Sequence, residues 1–224
     1  MKTTLYIPFL FLILSGCSTT DTINTSTNKN KTEAMAKKIL VESSEKSRYE
    51  NEQKVKKIRK ELLKKGIDPS SPDALYYEGK NEYGRGNIVK TIQLLKMAGF
   101  KGHTTAQTDL GSIFYEGLGG AKVNYDKALF WFKEAVKSGN DPLAYYNLGQ
   151  YYIEGLATSK NYKKAAKYYE ASAELGYADA QNVLGYMFHH GLGVLTNSKM
   201  ARYWYMKVAK QGNRLAQENL TLVR

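Results

Sequence analysis

Cysteine is almost absent. The 224 residues hold one, Cys17, so no disulfide within the chain can staple the fold. Long apolar runs are missing too. The clearest, Leu5 to Leu14, is broken by Pro8 and is too short to span a bilayer stably, so it reads as the apolar core of a signal peptide behind Met1-Lys2. Histidine is scarce, at three. The neighbours His189 and His190 should diverge on a helix rather than chelate one metal, and His103, just after Gly102, reads as a loop residue. There is no phosphate loop, dinucleotide fingerprint or nucleophile elbow, so the chain offers no catalytic constellation, cofactor or metal site. A Ser-x-x-Lys spacing at Ser43 and Lys46 lacks the companion elements that would make it catalytic. Acidic residues are outnumbered, 21 against 33, leaving a net charge of +12. That excess favours acidic surfaces. Nucleic acid is disfavoured among them, because the basic residues are spread through the chain with acids interspersed. What is plentiful is tyrosine, 18 against 7 Phe and 2 Trp, suited to rings that pack between helices with the hydroxyl reaching water.

Leu14-Ser15-Gly16-Cys17 resembles the bacterial lipobox. The resemblance implies that residues 1–17 are a lipoprotein signal peptide with its lipobox cysteine, cleaved before Cys17, so that Cys17 becomes the lipidated first residue of a chain held at the cell envelope by its acyl groups. Ser18, in place of the Asp that retains such proteins at the inner membrane, directs the expectation to the outer membrane, facing the periplasm. Residues 18–32 are Ser, Thr, Asn, Asp and Lys almost throughout and read as a flexible tether. Residues 33–67 shift to Lys, Glu, Arg, Ala and Leu and read as a charged helical arm. Its thin stripe of Met35, Ile39 and Leu40, then Val55, Ile58, Leu62 and Leu63, predicts an exposed first part and weak docking of the second. Gly66 is the expected C-cap, and Pro69 and Pro72 mark the next boundary.

From residue 74 the chain repeats. Ala106-Gln-Thr-Asp-Leu110-Gly111 is echoed by Ala144-Tyr-Tyr-Asn-Leu148-Gly149 and Ala180-Gln-Asn-Val-Leu184-Gly185, each with a further glycine six residues on, at Gly117, Gly155 and Gly191. A second pattern around Ala128, Ala165 and Ala201, with Trp131, Tyr168 and Trp204, ends at Gly139, Gly176 and Gly212. A shorter first copy starts at Ala74, with Gly84-Arg85-Gly86 replacing the loop. Each copy carries two helix-period stretches around a glycine turn, a helical hairpin that cannot bury its own apolar face, so copies must stack. Small residues mark close helix approach, the large aromatics fill the wedge between hairpins, and the last glycine of each copy is a left-handed stop.

These residues, with Tyr115-Glu-Gly-Leu-Gly119 and Tyr125-Asp-Lys-Ala128, resemble the Sel1-like repeat, a relative of the tetratricopeptide repeat. The resemblance implies an all-α fold, a right-handed α-solenoid of about four hairpins over 74–215, closed by a capping helix at 216–224. Ala157 departs from the pattern's second loop glycine, and Thr91, Asn197 and Met200 depart near the Asp-x-Lys-Ala site. It also implies that the first helix of each hairpin lines the concave side. The positions three, six and nine or ten after each leading alanine are then candidate partner contacts: Tyr77, Lys80 and Tyr83; Asp109, Ser112 and Glu116; Asn147, Gln150 and Glu154; Val183, Tyr186 and His190. The expected function is a non-enzymatic, lipid-anchored scaffold or adaptor of the bacterial cell envelope that binds a partner protein, with acidic envelope surfaces as further partners. The alternatives are a cell-wall or β-lactam hydrolase and a surface-exposed host-interaction factor.

Overall fold

A computed structural model describes residues 44–223. Cys17, the signal segment, the tether, Met35, Ile39, Leu40 and Ser43 lie outside the described residues. The chain divides into two units, Met1–Lys57 and Ile58–Arg224. In the first, the described residues 44–57 are helical and exposed except for half-buried Val55, and Arg48 pairs with Glu52 one turn on at 3.4 Å. No helix among the described residues is long and apolar enough to cross a membrane.

The second unit is all-α among its described residues and forms an α-solenoid. Its helical backbone at 58–64 is followed by α1 (Pro72–Gly84), α2 (Ile88–Phe100), α3 (Thr104–Glu116), α4 (Tyr125–Ala135), α5 (Pro142–Glu154), α6 (Tyr162–Glu174), α7 (Ala178–His190), α8 (Ser198–Ala209) and α9 (Arg214–Leu222). Helices pair in order as α1/α2, α3/α4, α5/α6 and α7/α8, and each pair packs on the next. The expected hairpins are therefore present, including the degenerate first one, whose short Gly84-Arg85-Gly86 link turns through Gly86 at φ 78°.

Local chemistry sets the helix ends. Asn124, Asn161 and Asn197 hold nearly identical extended backbones, φ −153°, −152° and −150°, and each side chain accepts from the N–H three residues on, at 2.9 to 3.1 Å. Asn197 is thus in register with the other two copies rather than a departure from them. Ser71, Asp141 and Asn213 cap the first helices of their copies in the same way. His103 does so through Nδ1, which accepts from the Ala106 N–H at 3.1 Å; it is the N-cap of α3 and not a free loop residue.

Packing between the two helices of a hairpin rests on one glycine. A Cβ on Gly149 would stand 2.7 Å from the Tyr169 ring, one on Gly185 2.8 Å from Tyr205, and one on Gly111 closer still to Phe132. These rings are buried to within 2% of full exclusion, so the backbone of the first helix lies flat on them. Trp131 and Trp204 are buried as expected, and Trp131 touches Gly99 of the preceding hairpin. Ile58 and Leu62 join the core beneath α1 and α2, whereas Leu63, read as part of the same stripe, is 63% exposed because it falls on the opposite side of the last turn.

The longer loops between paired helices turn left-handed first at the C-cap glycines Gly117, Gly155 and Gly191, at φ 72°, 75° and 69°, and again two residues on. Gly119 and Gly193 supply that second position at φ 63° and 71°, and Ala157 occupies it at φ 48°, the one described non-glycine with positive φ. An L-residue there costs roughly 1–2 kcal/mol, partly offset by the lower unfolded-state entropy of alanine. Ala157→Gly is therefore expected to raise the unfolding free energy by roughly 0.5–1 kcal/mol. Urea denaturation followed by circular dichroism measures it, and an unchanged midpoint would mean the alanine is unstrained.

Candidate functional site

The first helices α1, α3, α5 and α7 present the twelve residues singled out from the repeat. Tyr77, Lys80, Tyr83, Glu116, Glu154, Tyr186 and His190 are exposed, and Asp109, Ser112, Asn147, Gln150 and Val183 are partly so. The reason is helical register: the residues four and five after the leading alanine, Leu-Gly in three copies and Glu78-Gly79 in the first, turn inward, which rotates positions three, six and nine or ten toward solvent.

Neighbouring copies bring some of these residues together. Lys80 of α1 meets Asp109 of α3 at 3.4 Å. A cleft of about 170 Å³ opens beside this pair, lined by Lys80, Tyr83, Thr91, Leu95, Asp109, Ser112, Ile113 and Leu118. Four of the eight are expected contacts. Leu95, Ile113 and Leu118 form its apolar floor, and Thr91 is fully buried, its hydroxyl donating to the Asn87 carbonyl at 3.1 Å. Between α3 and α5, the Tyr115 hydroxyl donates to Glu154 at 3.2 Å, and burial with that carboxylate pushes the Tyr115 phenol up to about 12. Tyr115, Tyr125 and Tyr151 stand ring to ring, 5.5 to 6.4 Å apart. Tyr115 was not among the expected contacts, although it sits nine residues after Ala106 as Tyr83 does after Ala74. Asn147, Gln150 and Val183 are not drawn into this cleft; Gln150 instead donates to the Tyr146 hydroxyl at 3.3 Å.

On α7, the Tyr186 and His190 rings lie 4.0 Å apart and the His190 Nδ1 approaches the Tyr186 carbonyl at 3.0 Å. The His189 and His190 rings do not diverge as expected. Their centroids are 4.5 Å apart, because the side chains fold toward each other at the helix end.

A buried acidic pair lies under α1. Glu78 and Glu82, 5% and 3% exposed, are surrounded by Lys65, Arg85 and Lys90. Asn87 leads α2 without capping it and instead donates Nδ2–H to Glu82 at 2.6 Å. That hydrogen bond, with Lys90 and Arg85 behind it, holds the Glu82 carboxyl at about 2 against the burial that opposes its charge. For Glu78, burial is outweighed by Lys65, Asn81 and Arg85, and its carboxyl also lies below the usual range. These ions tie the end of the helix at 58–64 to the first hairpin and hold the cleft's α1 wall in place.

Charge divides between the two helix sets. The four first helices carry seven acidic side chains against one basic, Lys80. Their partners α2, α4, α6 and α8 carry ten basic against four acidic.

Comparison with known proteins places this geometry. Residues 104–140, 142–177 and 178–213 each match the Sel1 repeat. The chitin synthase regulatory factor 3 of Schizosaccharomyces pombe is 29% identical over 164 residues, 70% of this chain and 18% of that protein. The chain spans about a third or less of the length of the first curated relatives it matches. Among solved structures, a Sel1 repeat protein from Oxalobacter formigenes aligns with a TM-score of 0.62 at 28% identity, over 69% of this chain and 46% of that one. The protein c5321, a protective antigen of uropathogenic Escherichia coli strains, aligns with a TM-score of 0.62 at 32% identity, over 66% and 32%.

Proposed function

We propose that the three Sel1 repeats and the hairpin preceding them form a non-enzymatic scaffold that binds a partner protein on the first-helix face. The cleft between α1 and α3 carries this reading, because residues from two copies converge there on an apolar floor with a rim of opposite charges and a tyrosine. Such a floor accepts an aliphatic or aromatic anchor, and Tyr77, Tyr83 and Tyr186 extend the contact at low entropic cost. Apart from the buried Glu78 and Glu82, the first helices keep Asp73, Asp109, Glu116, Glu154 and Asp179 against Lys80, a balance that favours a partner segment bearing Lys or Arg. A hydrolase would need a nucleophile and base held together, and the single amine of the cleft, Lys80, is engaged by Asp109 instead.

The proposed setting is the cell envelope, with Cys17 lipidated and the repeats facing the periplasm. It rests on Leu14-Ser15-Gly16-Cys17 and Ser18. A surface-exposed, host-facing form is the second reading, favoured by the likeness to the uropathogenic protective antigen. Protease treatment of intact cells separates the two, since only the surface form is cut.

The binding test is crosslinking and pulldown from native envelopes with wild type and a Tyr83→Ala/Ser112→Arg variant, which removes one wall of the cleft and fills it. The expected result is a stoichiometric partner whose yield falls about tenfold in the variant. Undiminished capture by the variant would move the site off this face.

A further inference from the structure

The second helices carry an unused surface. On each, the small residue at the fourth position, Thr91, Ala128, Ala165 or Ala201, is fully excluded from solvent. The positions two before, two after, five after and nine after it form one outward row. Across α2, α4, α6, α8 and the turns that follow, that row holds seven lysines, three carboxylates and five large apolar side chains. Only Gln93 and Lys96 within it are half-buried; the rest are exposed. Lys133, Lys163, Lys167, Lys199 and Lys210 make no ion pair among the described residues. Interleaved with them, Val89 and Phe100 are each 71% exposed, Phe130 46%, Tyr203 47% and Met206 40%.

We propose that this second-helix face docks on the phosphate headgroups of an anionic lipid bilayer. The two halves of the pattern decide the occupant together. Unpaired lysines call for a polyanion, but a nucleic acid backbone would leave Val89, Phe100, Phe130 and Met206 in water. The headgroup region of a bilayer takes both, with ammonium groups at the phosphates and the apolar side chains at the acyl boundary. The lysine stems add to the apolar contact while their charges stay wet, and Tyr203 suits the headgroup level. Charge complementarity also assigns the orientation, because even without the buried Glu78 and Glu82 the first helices carry five acidic side chains against Lys80 and would be repelled from the same surface. The face that binds lipid is thus the one that leaves the cleft open to a partner.

The test is sedimentation of the full chain with vesicles of pure phosphatidylcholine and with vesicles in which a third is replaced by phosphatidylglycerol. Residues 1–17 are common to every arm, so only the difference between the vesicles is read. Wild type should partition at least about tenfold more to the anionic vesicles, with the gain lost at high salt. Lys167→Glu/Lys199→Glu should remove about tenfold of that partitioning. Phe130→Ser/Met206→Ser should weaken it while leaving retention by heparin, a polyanion without an apolar phase, unchanged. Tyr83→Ala/Ser112→Arg should leave it intact, so failure of the partner site does not affect this result. All substituted positions except Ser112 and its cleft are exposed, and circular dichroism confirms folding. Equal partitioning to both vesicles would overturn the proposal. So would indifference to the apolar pair, or tighter retention by duplex DNA than by anionic vesicles at the same ionic strength.

Discussion

Gly149→Ala is expected to destabilise the repeat unit by about 3 kcal/mol, at the upper end of overpacking effects. The added methyl would meet the Tyr169 ring at 2.7 to 2.8 Å, closer than side-chain carbons approach. Alanine is otherwise the better helix former by about 1 kcal/mol, so propensity alone predicts the opposite sign. The ring cannot step aside. Tyr169 is 2% exposed and packs edge-on against Tyr146 at 5.5 Å. Relief must come from separating α5 and α6, which pack against each other as one hairpin. Thermal or urea unfolding measures the loss. Tyr169→Leu in the Gly149→Ala background should return part of it by shortening the opposing side chain, although alone it leaves a cavity. A neutral Gly149→Ala would show that the two helices slide apart freely and that the close approach is not a source of stability.

Acid is expected to release the first hairpin before the rest. Glu82 has a carboxyl held near 2 in the native chain against an ordinary value of 4.5. A depressed carboxylate stabilises the fold fully above its unfolded pKa, and that contribution fades as pH falls through the native value. The window is therefore about pH 4.5 down to about 2, and the amount at stake is roughly 3 kcal/mol. Glu78 shifts in the same direction and adds to the slope. Glu82→Gln should lower stability at neutral pH by about 2–3 kcal/mol, because Lys65, Arg85 and Lys90 lose a counter-charge, and should flatten the acid limb. Urea melts at pH 7, 4.5, 3 and 2 give both numbers. A variant with the wild-type acid slope would assign the effect to other carboxylates.

The hairpins, their glycine links and the left-handed stops at Gly139, Gly176 and Gly212 follow from spacing, because each depends on residues a few places apart, whereas the left-handed backbone of Ala157 is seen only in the structure. The asparagine caps share that locality, yet only the backbone shows Asn197 performing the role of Asn124 and Asn161, since its neighbours Ser198 and Met200 obscure the match. The outward orientation of the candidate contacts is local as well, because the leading alanine and the residues four and five places on turn inward, whereas their choice as a binding face follows from the resemblance. The identity of the ring that each glycine meets was not. Phe132, Tyr169 and Tyr205 lie about twenty residues beyond their glycines, one place after the conspicuous Trp131, Tyr168 and Trp204, and helix register selects the less conspicuous neighbour.

By itself, then, the sequence determined a stack of helical hairpins with one solvated face per helix, because periodicity, caps and turn residues are local properties of the chain. Tertiary structure alone decided three things. It made a weakly apolar helix end at 58–64 part of the core by burying Ile58 and Leu62, with Lys65 to Glu78 at 2.6 Å and Lys90 to Glu61 at 3.0 Å flanking the contact. It joined Lys80 to Asp109, from separate copies, at the mouth of one cleft. And it sorted charges that alternate along the chain onto two opposed helix sets, since a residue's side of the solenoid depends on which helix of its hairpin it occupies.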